Sequence, residues 1–438
     1  MGATLSAQRK SGRLKPRQAL FSPLLLLTLS LALLYAFPWL RVPNLFGVAF
    51  PLQRIIPWLE LVALFILICT RRSLPARGLS ALYLTCCTLL LSVILVSAAH
   101  NAATSPTFNL LTSLMELSKY VAVFTAGYAV YYALWHGLLS AERFSNLIML
   151  SGVASIILSY IFLGLYWAGF RTTNEILAPT FGGALGAWPT GGLLPRLAGT
   201  GAEPQQLSVL FMTPLLIMLN RRYIKRYWFV ALLGVGALVL SQSKFSLVSL
   251  AVVALFLDLV YKKHRLILIS FMLVALPAGA LSLSQLPTFS ATLEQGLEAG
   301  AFVERFNNVQ LLGTIIQDNL LLGIGVGQYG AYRSQLLYND PDVRPDYKAN
   351  SDLLSIFAET GVVGFAVTAF LLLSLLVRFS LQARRLSSEQ RDLFFPYWLG
   401  AVTIFLNMFI GYEFVHTFFW INIGTLLHLS QLYSRKAR

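Results

Sequence analysis

Apolar residues in this chain come in blocks, separated by short polar and mostly basic stretches. A block of about 20 apolar residues crosses roughly 30 Å of hydrocarbon as a helix. Such blocks lie near 20–38, 55–70, 79–98, 110–135, 145–168, 205–220, 227–241, 245–261, 266–284, 351–377, 394–411 and 415–433. The pattern predicts an all-α polytopic membrane protein with about 12 transmembrane helices. Two long polar interruptions divide it. A basic tail (1–19) precedes an N-terminal bundle (20–170), and a first long loop (171–204) leads to a second set of helices (205–284). A large loop (285–350) then precedes the C-terminal helices and tail (351–438). Loops of that length inside a compact chain are commonly functional or disordered. The stretch VERFNNVQLLGTIIQDNLLLGIGVGQYGAYRSQLLY in the second is apolar enough to fold back as short amphipathic helices.

Composition supports this reading: 57% of residues are hydrophobic and 12% charged, with a mean hydropathy of +0.69. Soluble domains carry about 25% charged residues. The net charge of +15 resembles a nucleic-acid signal until the charges are placed. Arg9, Lys10, Arg13, Lys15 and Arg17 precede the first span, and Arg71, Arg72 and Arg77 follow the second. Arg143 follows the fourth, Arg221, Arg222, Lys225 and Arg226 the sixth, and Lys262, Lys263 and Arg265 the eighth. Arg378, Arg384, Arg385 and Arg391 follow the tenth, and Arg435, Lys436 and Arg438 close the chain. With twelve spans all of these fall on one side, which the positive-inside rule makes cytoplasmic, together with both termini. The charge reports topology, and membrane lipids rather than nucleic acid are the expected surroundings. No small-residue cleavage site follows the first apolar block, so it is read as a retained signal-anchor helix. Cys69, Cys86 and Cys87 sit within spans and form neither a disulfide framework nor zinc spacing.

The chemistry concentrates where the large loop meets the tenth span, NSDLLSIFAETGVVG from Asn350 to Gly364. Glu359 stands about two turns into an apolar helix, where a carboxylate is costly and marks function. Asp352 and Glu359 are seven residues apart, which puts both on one face, roughly 10 Å apart along the axis. A helix N-terminus also favours anions. The plainer reading makes Asn350 and Ser351 N-cap residues and Asp352 a first-turn carboxylate.

Other candidates also admit two readings. Arg196, in RLAGTGAEPQQLS ahead of Glu203 and Pro204, can grip phosphate through two parallel hydrogen bonds or snorkel to headgroups. Lys244 is the one cation in the short turn SQSKFS, and serves as a site residue or as an anchor. The glycines of GIGVGQYG (323, 325 and 327) lack the lysine and the preceding strand of a phosphate loop, so close packing of a loop on a helix is expected. Glu116 and Lys119, three residues apart, are expected to pair. Glu60 lies near the outer end of span two. Glu413 and His416, in NMFIGYEFVHTFFW, are either a base and its orienter or part of an interfacial belt.

In order, Arg196, Gly199, Glu203 and Pro204, then Ser243 and Lys244, then Gly323, Gly325 and Gly327, then the Asn350–Gly364 helix start resemble the motifs of the bacterial O-antigen ligase and O-antigen polymerase superfamily. These segments cover about residues 190–365. Ligases of that family carry a histidine nine residues before the helix glutamate, where this chain has Asn350, and an arginine where it has Lys244. These departures point toward the polymerases. An Arg-x10-Gly spacing described for some polymerase loops falls at Arg171 and Gly182.

The resemblance implies a GT-C-like multi-pass protein of the bacterial inner membrane. Such a protein transfers glycan from a polyprenyl-pyrophosphate-linked oligosaccharide to a sugar hydroxyl on the periplasmic face, without cofactor or metal. Arg196 and Lys244, with Arg305, would stabilise the pyrophosphate, and Asn350 would orient the acceptor. Asp352, Glu203 or the Glu413/His416 turn would supply a base if one is needed. Arg171, Arg333, Arg344, Lys348 and Glu359 complete the implied substrate-binding set. A flippase and a chain-length regulator are implied partners. Competing readings are an O-antigen ligase or protein O-oligosaccharyltransferase, a polysaccharide transporter or flippase, and a structural member of an export complex. The clustering of charge at one face and the unlike halves of the chain favour an enzyme over a transporter.

Overall fold

A computed structural model describes residues 23–36, 41–42, 50–71, 75–168, 186–188, 196–200, 204–261, 301–336, 349, 351–409, 411 and 414–436. The elements are α1 (Pro23–Ala36), β1 (Arg41–Val42), β2 (Phe50–Pro51), α2 (Leu52–Arg71), α3 (Leu79–Thr104), α4 (Leu110–Trp135) and α5 (Ala141–Trp167). They continue with β3 (Gly186–Trp188), β4 (Arg196–Gly199), α6 (Gln206–Met218), α7 (Ile224–Leu240) and α8 (Lys244–Tyr261). Next come α9 (Ala301–Asp318), α10 (Tyr329–Leu336), α11 (Asp352–Arg385), α12 (Ser388–Asn407) and α13 (Thr417–Lys436).

Helices occupy every apolar block that falls within the described residues; the ninth, 266–284, lies outside them. Of these, α3, α5 and α11 are long and apolar enough to cross a membrane, by length and composition. With 13 residues, α6 rises only about 20 Å. It is buried along its whole length, so the block 205–220 yields a core helix shorter than a full span.

Polar residues set the helix starts. Asn109 accepts from the Thr112 N–H (3.0 Å), and Ser140 from that of Arg143 (3.2 Å). Ser387 and Gln390 form a reciprocal capping box that starts α12.

The core centres on α13, which packs against α4, α12 and α3. Gly424 of α13 meets Gly127 of α4 backbone to backbone, and a Cβ at Gly424 would collide with the Gly127 carbonyl. Small residues allow such approach between membrane helices. An aromatic cluster surrounds the crossing. The Trp420 ring lies edge-on to Phe124 (4.7 Å), Phe414 (5.2 Å) and Tyr83 (5.9 Å). The Tyr83 hydroxyl donates to the Phe124 carbonyl (2.7 Å) and the Trp420 indole to that of Phe414 (2.7 Å). Facing outward, α3, α5 and α11 expose apolar side chains such as Leu95, Ile161 and Phe370, as helices solvated by lipid do.

The expectation of an all-α chain needs one amendment. Two short antiparallel pairs are present, β1 with β2 and β3 with β4. The second lies in the loop 171–204 and pairs Trp188 with Arg196. There Leu197 and Ala198 are fully buried against α5, and Thr200 shares a 2.5 Å hydrogen bond with Ser155. A segment read as surface loop therefore enters the bundle. The large loop contributes α9 and α10, amphipathic pieces joined to the base of α11 by a separate small core of Leu312, Ile315, Ile324, Tyr329, Ala349 and Ala358.

Candidate functional site

The start of α11 is held from three sides. Ser351 caps it, accepting from the Leu354 N–H at 3.5 Å. The Asp352 N–H donates to the carbonyls of Met408 (3.0 Å) and Gly411 (2.8 Å), and one Asp352 carboxylate oxygen accepts from the Phe414 N–H at 2.6 Å. Asp352 is buried and latches α11 to the turn joining α12 and α13. The contact ties Asp352, a base candidate in the sequence, to the backbone of that turn. Glu359 is half-buried on the same helical stretch, with Tyr120 of α4 within electrostatic reach of Glu359, Asp352 and Glu116.

Two residues beyond Glu359 the helix breaks. Gly361 has φ +67° and ψ −172°, an interruption within α11 that L side chains rarely adopt. A break frees carbonyls that must find donors where water is scarce. The glycine loop supplies them. Ile324 N–H donates to the Ala358 carbonyl (3.0 Å) and Gly325 N–H to that of Glu359 (2.9 Å), while Val362 N–H donates to the Leu320 carbonyl (2.7 Å). Side chains of α3 and α4 secure the loop from the other side. Ser97 Oγ donates to the Leu322 carbonyl (2.6 Å), Asn101 Nδ2 to that of Gly323 (3.0 Å) and Ser113 Oγ to that of Val326 (2.7 Å). Gln328 exchanges two bonds with the Asn109 backbone (3.0 and 2.8 Å). Gly323, Gly325 and Gly327 all have positive φ. The expected close packing of this loop on a helix is what the structure shows, and its partner is the broken stretch of α11. The expected pair Glu116–Lys119 is also present, beside Gly327.

Arg196 opens β4, and its Nε donates to the Ser241 carbonyl at 3.4 Å. Ser241 caps α7, and Lys244 opens α8 three residues later. Gln242 adopts φ +49°, and Ser241 and Ser246 share a 2.5 Å hydroxyl bond across the turn. Two motifs separated by 45 residues in sequence thus meet: the arginine lies on the tip of the hairpin that carries the lysine. The Lys244 side chain is outside the described part. Such a pairing of a fixed guanidinium with an adjacent cation-bearing turn suits a phosphate-bearing anion.

Residues 229–369 match the family model of O-antigen ligase. The resemblance read from the motifs holds over that segment. The O-antigen ligase match takes in most of α7, the Ser243–Lys244 turn, α8, α9, the glycine loop, α10 and α11 past its break. Arg196 and the α12–α13 turn lie outside the matched segment and reach it through the contacts just described. No curated protein matches the chain.

Of the remaining candidates, Arg333 is buried on α10, and His416 is buried one residue ahead of α13. Arg305 lies on α9, its side chain outside the described part. Asn350, Glu203, Arg171, Arg344, Lys348 and Glu413 lie outside the described residues. Among the described residues no group of three His, Cys, Asp or Glu side chains is placed to hold a metal ion.

The motifs did not point to a cleft of 530 Å³ between the α3–α4 turn, the end of α9 and α10. Its wall includes Asn101, Phe108, Asp318, Asn319, Gln328 and Tyr332. Amides, one carboxylate and two part-buried rings suit a sugar, which presents hydroxyls at its rim and C–H groups on its faces. One trace was available in the sequence. Ser97 and Asn101 are polar residues one turn apart on α3, and Asn101 reaches the cleft wall.

Proposed function

We propose that the chain is a glycan polymerase that joins lipid-linked repeat units on the outer face of the bacterial inner membrane. It would span that membrane about twelve times, with both termini inside. The donor is an oligosaccharide on polyprenyl pyrophosphate. The bond from its anomeric carbon to the phosphate oxygen breaks, and the electron pair leaves with the polyprenyl pyrophosphate. A new bond forms from that carbon to an acceptor sugar hydroxyl, whose proton passes to a base. Glu203, Glu413 and His416 remain the candidates for that base, with Asp352 assigned to positioning. Arg196 and Lys244 stabilise the pyrophosphate as charge accumulates on it. The cleft beside Tyr332 accommodates part of the saccharide.

The observation that carries this reading is the contact of Arg196 with the hairpin that presents Lys244. In a strain lacking the native chain, Arg196→Ala or Lys244→Ala is expected to lower polymer formation by roughly 100-fold or more, with the protein still in the membrane. A full-length glycan ladder from both variants would sink the proposal. A ligase is the second reading, favoured by the family description. Asn350 in place of the ligase histidine favours polymerisation. Deletion separates the two readings: single repeat units on the surface mean polymerase, and a ladder stranded on the lipid carrier means ligase.

A further inference from the structure

At the far end of α11 from Asp352 lies a cavity of 710 Å³ whose wall carries four arginines: Arg77 from the turn before α3, Arg378 and Arg385 from α11, and Arg435 from α13. The scaffold holds these groups in place. Gln431 Nε2 donates to the Arg77 carbonyl (2.8 Å) and accepts, through Oε1, from the Tyr131 hydroxyl (2.9 Å), which fixes the Arg77 turn to α13. The Arg435 guanidinium stacks 4.2 Å from the centre of the Trp135 ring. Arg378 and Arg385 are seven residues apart and share a helix face.

Other basic residues find partners. Arg222 pairs with both oxygens of Glu142 (2.9 and 3.4 Å), and Arg221 donates to the Val260 carbonyl. Among the described residues no carboxylate pairs with any of the four cavity arginines. Four like charges around one cavity repel one another unless an anion enters. The cavity also continues into an apolar track. Phe370, Leu373, Val377 and Leu381 recur along the outer face of α11, each half exposed or more, and Leu381 also lines the cavity. A ligand that satisfies both features has an anionic phosphate head and an acyl tail.

We propose that this cavity is a binding site for an anionic phospholipid, with the phosphodiester held by Arg378, Arg385 and Arg435 and one acyl chain lying along the Phe370–Leu381 track. The bilayer itself supplies this ligand, and basic pockets between membrane helices recognise such headgroups. The site does not depend on which glycan reaction the protein performs.

The full chain, purified in detergent, is titrated with phosphatidylglycerol, phosphatidylcholine or inorganic phosphate. Lipid retention is read by native mass spectrometry, and monodispersity by gel filtration. Phosphatidylglycerol is expected to be retained over phosphatidylcholine. Arg378→Gln/Arg385→Gln should weaken its retention by roughly 10- to 30-fold, and Arg226→Gln should leave it unchanged. Arg385→Gln alone serves if the double variant is not monodisperse, with an intermediate loss expected. Equal retention of the two lipids, unchanged retention by a monodisperse variant, or equally effective competition by inorganic phosphate would each overturn the proposal.

Discussion

Among the described residues, two backbone-to-backbone contacts through glycine solve different problems. Where α4 crosses α13, Gly127 and Gly424 touch inside a shell of aromatic rings. The helices there are uninterrupted, their own hydrogen bonds are intact, and absence of a side chain only serves closeness. In the seam between the glycine loop and α11, Gly323, Gly325 and Gly361 all have positive φ, and the neighbouring backbone groups bond across the contact. There glycine permits a conformation as well as an approach, and the break it creates is satisfied by another segment. The first contact builds the bundle; the second fixes the base of α11 to the loop above it.

The largest expected effect separates these roles. Gly424→Val drives two backbones apart with no flexible side chain to yield, at a cost of about 3 kcal/mol or more. Loss of the monodisperse gel-filtration peak is the expected result, and a well-folded variant would show that the crossing tolerates separation. Gly361→Ala is expected to cost about 1–3 kcal/mol through φ strain and collision with the Leu321 carbonyl. The bundle should remain folded while glycan transfer is lost. Activity at the wild-type level would detach the seam from function. Ser97→Ala removes one hydroxyl donor from the seam, and about 1 kcal/mol is expected. A melting temperature lowered by a few degrees, with transfer reduced but present, is the predicted outcome; an unchanged melting temperature would mean that the Leu322 carbonyl finds another donor.

The helical framework was legible because runs of apolar residues in the described part fold as helices, three of them long enough to cross a membrane. The short α6 departs from that length, since a helix shielded on every side by other helices can be apolar all round at 13 residues. The pairing of Glu116 with Lys119 followed from helical spacing alone. The glycine loop was readable as a packing element, but its partner was not, because Gly361 looks like any helix glycine until Leu321 is seen against it. Arg196 was singled out by its residue type and surroundings. Its seat on Ser241 depends on β4, a four-residue strand that no periodicity could reveal in so short a run. The cleft beside Tyr332 draws on three separate segments, and only the assembled chain places them together.

The seam also constrains the order in which the protein can be completed. Ser97 and the Leu322 carbonyl it binds are separated by 225 residues, and the loop's other anchor is the broken stretch of α11. During synthesis the hydroxyls of α3 and α4 exist long before either partner has been translated. The glycine loop in turn leaves the ribosome before the carbonyls of Ala358 and Glu359 that complete it. Closure is therefore a late event that joins early helices to a much later one. An insertion intermediate stalled before residue 359 would lack α13 at the centre of the core and would hold the glycine loop unfastened.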